Sequence, residues 1–117
     1  MAPRRRTVLR VLWLLLLVFV VIGSLLPGDS APLLLLGKFQ LNDKVLHFLA
    51  YACLALLPAI HENRTTMLTL LAMILILGVL LEFGQTYVSE RFFELADMAA
   101  NWCGALCGLL AGIPFRA

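Results

Sequence analysis

The sequence predicts an all-α protein: a four-transmembrane-helix bundle in one membrane domain spanning residues 1–117, with both termini cytoplasmic. Two observations carry the class. Of 117 residues, 62% are hydrophobic and only 14% charged, with a mean hydropathy of +0.98, against roughly 45 to 50% apolar residues in soluble domains. The apolar residues also fall in four runs separated by proline, glycine and charge. At about 20 residues per crossing, four spans use up a chain of this length and leave no separate soluble domain.

The first span runs over residues 8–26, from Val8 to Leu26, with Arg10 placed to snorkel from its first turn and Pro27-Gly28 ending it. The rival reading is a signal peptide, since MAPRRR resembles a charged leader. The apolar run from Val11 to Leu26 is too long for that, and no small-x-small cleavage site follows it. Next comes PGDSAPLLLLGKFQLND, whose Leu33 to Leu36 run is too short to cross a bilayer and is expected to lie at the interface or to dip in. The second span covers 45–60 and is closed by Pro58 and the loop His61-Glu62-Asn63-Arg64. The third covers 65–85. The fourth covers 95–113, and Pro114 and Arg116 end it.

Orientation follows from the basic residues, because short cytoplasmic loops retain Lys and Arg. Arg4, Arg5, Arg6, Arg10, Arg64 and Arg116 share one side, against Lys38, Lys44 and Arg91 on the other. The net charge of +2 reflects this asymmetry. No basic patch is interleaved with aromatics, so no nucleic-acid partner is expected.

In that topology the remaining polar residues converge on the outer face. Asp43, Lys44 and His47 open the second span, Glu82 and Gln85 close the third, and Glu90, Arg91 and Glu94 lie in the outer loop. Asp97 and Asn101 begin the fourth. Helical spacing puts Asp43, His47 and Tyr51 on one face, Glu82 with Gln85 on another, and Asp97, Asn101, Ala105 and Gly108 in one stripe with Gly104 beside it. Gly104 and Gly108 form a small-xxx-small pair that admits a close helix contact. The expected product is a shallow polar pocket at the outer end, with His47 and Glu82 within hydrogen-bonding reach and Arg91 folded over the opening.

Each residue has a plainer explanation. His47 can pair with Asp43, Arg91 can be a solvated loop residue or partner Asp97 or Glu82, and Asp97 suits a helix N-terminus. Asn101 suits a bond between helices. Glu82 is harder to dismiss, because a carboxylate at a span centre costs about 2.5 to 3.5 kcal/mol, less near the end. Trp13 and Trp102 read as packing or interfacial residues. Cys53, Cys103 and Cys107 all fall within spans and are expected to be buried small hydrophobes, not disulfide partners. No cofactor and no metal is expected, although His47, Glu82 and Asp97 are a conceivable mixed ligand set.

The ordered set D-K-x-x-H-x-x-x-Y (Asp43, Lys44, His47, Tyr51), E-x-x-Q (Glu82, Gln85) and R-x-F-E-x-x-D-x-x-x-N-x-x-G (Arg91, Phe93, Glu94, Asp97, Asn101, Gly104) resembles the VanZ-like family of small integral membrane proteins. The match spans roughly residues 40–110. Glu94 departs from the aspartate associated with the family. The resemblance implies a multi-pass protein of the bacterial cytoplasmic membrane with four spans, and a link to low-level teicoplanin resistance; it supplies no reaction. Two functions follow. In the favoured one, Asp43, Lys44, His47, Tyr51, Glu82, Gln85, Arg91, Asp97 and Asn101 bind a membrane or envelope lipid, a glycan precursor or a partner. In the other, His47, Glu82 and Asp97 perform acid/base catalysis on a lipid-linked substrate, a reading weakened by the lack of an obvious nucleophile.

Overall fold

The computed structural model describes residues 2–25, 43–87 and 95–116, without the side chains at positions 43 and 44. The expected interfacial run at Leu33 to Leu36, the side chains of Asp43 and Lys44, and the loop residues Glu90, Arg91 and Glu94 lie outside the described residues. Four helices are present among them: α1 (Pro3–Leu25), α2 (Asp43–His61), α3 (Arg64–Gln85) and α4 (Leu95–Gly112), the last continued by a short 3-10 turn, Ile113–Phe115. Three stretches, Pro3–Leu25, Arg64–Gln85 and Leu95–Phe115, are long and apolar enough to cross a membrane; the apolar part of α2, Val45–His61, is shorter.

Contacts fix the directions of the helices. Gln85 of α3 reaches Ser24 of α1, so these two run parallel. Trp13 bonds Leu54, and Arg10 bonds Glu62 just beyond α2, so α2 runs against α1. Gly104, Gly108 and Gly112 of α4 lie in turn against Phe48, Ala52 and Leu56 of α2, which makes α2 and α4 parallel. Successive helices therefore alternate in direction.

The α2–α4 contact is the closest in the bundle, and glycine is its cause. A Cβ at Gly104 would lie 2.9 Å from the Phe48 carbonyl carbon, one at Gly108 2.7 Å from that of Ala52, and one at Gly112 2.7 Å from the Ala59 Cβ. Backbone sits directly on backbone, as the Gly104–Gly108 spacing predicted, and the sequence reading overlooked Gly112 as the third step. Around this contact Trp13, Val20, Tyr51, Leu54, Ala55, Ile74 and Ala105 form the core.

Pro58 does not close α2, contrary to the sequence reading. The helix passes through it to His61, and Pro58 is buried. Proline has no N–H to give the carbonyl four residues back, which here is Leu54. Trp13 from α1 supplies the missing donor, its indole Nε1 lying 2.8 Å from the Leu54 oxygen. In an apolar interior each unsatisfied backbone group costs several kcal/mol, so the proline is tolerated because a neighbouring helix completes its hydrogen bonding.

Large apolar side chains cover the outside of the bundle: Phe19, Leu15, Leu80 and Leu110 are each more than half exposed. In water this surface would far exceed the apolar patch of a normal soluble protein; lipid is the solvent that suits it. The same fact corrects the expectation for the cysteines. Cys53, Cys103 and Cys107 are free and exposed on the bundle surface, not buried. Lipid tails are as apolar as a protein core, so a small hydrophobic side chain gains little by facing inward.

Candidate functional site

All four helices contribute to the end of the bundle where α1 and α3 finish and α2 and α4 begin. His47, in the second turn of α2, donates from Nδ1 to Asn101 Oδ1 at 2.7 Å. One turn further along α2, Tyr51 is fully buried. Gly78 of α3 makes room for both partners: a Cβ there would stand 3.3 Å from Tyr51 Cε1 and 3.5 Å from Asn101 Nδ2. α2, α3 and α4 thus meet at one point, with a phenol and an amide filling the space that a side chain would take.

Glu82 follows Gly78 by one helical turn and is only 1% exposed. Gln85 is also buried, and its Nε2 donates to the Ser24 carbonyl at 2.8 Å. Ser24 is one of the last residues of α1, whose terminal carbonyls have no partner within their own helix; Gln85 therefore caps α1 while tying it to α3. Asp97, in the first turn of α4, is 3% exposed and shares a buried stripe with Asn101, Gly104, Ala105 and Gly108. Of the candidate residues, the structure joins His47 with Asn101 and brings Tyr51 and Asn101 together over Gly78. It buries Glu82, Gln85 and Asp97 inside the bundle at this end. Lys44, Asp43 and Arg91 lie outside what is described, as stated above. Among the described residues no three His, Cys, Asp or Glu side chains are placed to hold a metal ion.

Chemically, two carboxylates, an imidazole, a phenol and two carboxamides are set in an apolar surround. Carboxylate and amide oxygens accept; the phenol, the amide nitrogens and the imidazole donate.

A second polar cluster, at the opposite end, was not foreseen. Glu62, read in the sequence as part of the loop that closes the second span, is buried. Arg10 holds it in a fork, Nε to Oε1 at 2.6 Å and Nη2 to Oε2 at 2.9 Å, and His61 donates from Nδ1 to Oε1 at 3.0 Å. Arginines also satisfy the C-terminal carbonyls of α2, which its own helix leaves unbonded. Arg6 reaches His61 O at 3.1 Å, while Arg116 reaches Ala59 O at 2.8 Å and Glu62 O at 2.9 Å. Positive charge at the negative end of a helix dipole adds to the effect. The available sequence signal was the i, i+4 pair Arg6 and Arg10, together with an acid next to a histidine in a chain of few charges.

The Arg10 hydrogen bonds hold the Glu62 carboxyl below its ordinary value of 4.5, outweighing the opposing effect of its burial. The folded-state pKa then lies below the unfolded one, so this stabilisation is complete above the unfolded value and is lost as pH falls through the folded one. Acid unfolding of the protein in detergent should steepen below about pH 4.5, and Glu62→Gln should flatten that limb. An unchanged acid limb in Glu62→Gln would show that another group sets it.

The chain is 32% identical over 116 residues to an uncharacterized protein of the fission yeast Schizosaccharomyces pombe; the match covers 96% of this chain and 66% of that protein. The chain thus spans slightly under two thirds of the relative's length. No protein-family profile matches the chain, and no solved structure matches it.

Proposed function

We propose that this is a four-span membrane protein with cytoplasmic termini whose outer end binds the polar head of a membrane lipid or lipid-linked precursor. The observation that carries the reading is the burial of Tyr51, Glu82, Gln85, Asp97 and Asn101 at one end of the bundle. Ionisable groups inside a membrane are costly and are kept for a task, and neither buried carboxylate, Glu82 or Asp97, belongs to the glycine-on-backbone contact of α4 with α2. The alternation of helix directions supports four crossings, and the six-to-three distribution of basic residues supports the orientation. The resemblance to the VanZ-like family points to the same end of the molecule, and with it to a role in glycopeptide resistance. The relative in a eukaryote favours a ligand that bacteria and eukaryotes share, a lipid headgroup over a wall precursor confined to bacteria.

The orientation is tested with a membrane-impermeant thiol reagent: a cysteine placed at Ser89 should label from outside and one at Asn63 should not. Function is tested by mass spectrometry of lipids that copurify with the chain. A species held by the wild type should be depleted in Glu82→Gln and Asp97→Asn and retained in Glu62→Gln, whose change lies at the other end. Identical lipid profiles in all four proteins would sink the proposal.

A catalytic alternative rests on the His47–Asn101 bond, which holds the imidazole in place at the end where Glu82 and Asp97 are buried, as a positioned acid or base requires. Under that reading Glu82→Gln would retain the lipid but abolish its turnover.

A further inference from the structure

The six arginines at the end opposite the candidate site divide into two groups. Arg6, Arg10 and Arg116 are committed to carbonyl oxygens and to Glu62 within the bundle. Arg4, Arg5 and Arg64 are exposed, and no described residue offers any of them a hydrogen bond or an ion pair. Both elements that carry them start at the same depth. α1 and α3 run parallel with Ser24 beside Gln85, and an equal number of residues back along each helix brings Arg64 level with Pro3, next to Arg4 and Arg5. The acid at this end, Glu62, is already bonded by Arg10 and His61 and does not neutralise them.

The surface just beyond these arginines is apolar. Val8, Val11 and Leu12 of α1 and Leu68 of α3 are exposed along the two helices, each at 45% or more. A cationic group at the rim of an apolar belt lies at the depth of lipid phosphates, with room for acyl chains along the belt below. All three cations are arginines, whose planar fork matches two phosphate oxygens at once.

We infer that Arg4, Arg5 and Arg64 form a binding surface for the phosphate groups of anionic phospholipids in the adjoining leaflet. This site lies at the opposite end from the proposed pocket and does not depend on it. It supplies the cations that the internal bonds leave unused, and its strength falls as salt rises.

The experiment uses the full chain in detergent micelles, titrated with dioleoylphosphatidylglycerol or dioleoylphosphatidylcholine and read by native mass spectrometry. The wild type should retain the anionic lipid in preference to the zwitterionic one. Each of Arg4→Gln, Arg5→Gln and Arg64→Gln should weaken that preference about fivefold, and the triple variant on the order of a hundredfold. The melting temperature without added lipid should stay unchanged, because none of the three side chains bonds within the bundle. Equal retention of the two lipids by the wild type, or an undiminished preference in the triple variant, would overturn the inference. Displacement of the anionic lipid by millimolar inorganic phosphate would also overturn it, by showing a site for free anions. If the triple variant fails to fold, the single variants decide by the same fivefold criterion.

Discussion

Replacing Gly108 with leucine should separate α4 from α2 and destabilise the bundle by about 3 kcal/mol, the upper part of the range for overpacked cores. The magnitude follows from what the new side chain meets. Its Cβ would sit 2.7 Å from the Ala52 carbonyl carbon and closer still to the oxygen. A crowded side chain can rotate away, whereas helix backbone moves only if the whole helix moves. Gly104→Leu should behave alike against Phe48. Leu109→Ile, which conserves volume on a half-buried neighbour, should cost less than about 1.5 kcal/mol. Denaturant unfolding in micelles measures all three. Wild-type stability in Gly104→Leu and Gly108→Leu together would mean that α4 does not pack on α2 through this face.

The second large effect is expected at Trp13. Trp13→Phe keeps an aromatic ring, though a smaller one, and removes the donor 2.8 Å from the Leu54 carbonyl. The oxygen is then stranded, because Pro58 cannot supply the usual helical N–H. A buried group left unsatisfied costs about 1 to 3 kcal/mol, and the apolar surround puts this case near the top of that range. A double-mutant cycle isolates the cause. Pro58→Ala restores a backbone donor to Leu54, so Trp13→Phe should cost about 1 kcal/mol less in that background than alone. Equal costs in the two backgrounds would show that Trp13 acts by packing and not by completing the proline-interrupted helix.

Much of the architecture was legible in the chain. Apolar runs and their punctuation marked four helices, and the buried stripe of Asp97, Asn101, Ala105 and Gly108 on α4 followed from spacing alone. Glu82 and Gln85 were legible as a polar pair ending an apolar run, but their near-complete burial is a finding of the structure. The Glu62 cluster was not, because a glutamate between histidine and asparagine reads locally as a hydrophilic turn. Its burial comes from Arg10, fifty-two residues away, and from Arg116, which folds back after Pro114. The cysteines were misplaced for a different reason: hydropathy separates inside from outside only when the solvent is water.

The sequence by itself determined the apolar character of the chain, the helices, and the face of α4 that meets another backbone, because composition and periodicity are properties of a local segment. Only the tertiary structure decided which distant groups complete one another. Trp13 answers Pro58, Gln85 caps α1, Arg6 and Arg116 close the C-terminal end of α2 while Arg10 holds Glu62 just beyond it, and Asn101 takes His47. Each of these pairings depends on the rotation and register of two helices; for His47 with Asn101 those are set by the close fit of glycine against backbone along the α2–α4 contact. In an apolar medium that fit and the demand for hydrogen-bond partners select the arrangement, since burying one more hydrophobic side chain distinguishes little between inside and outside.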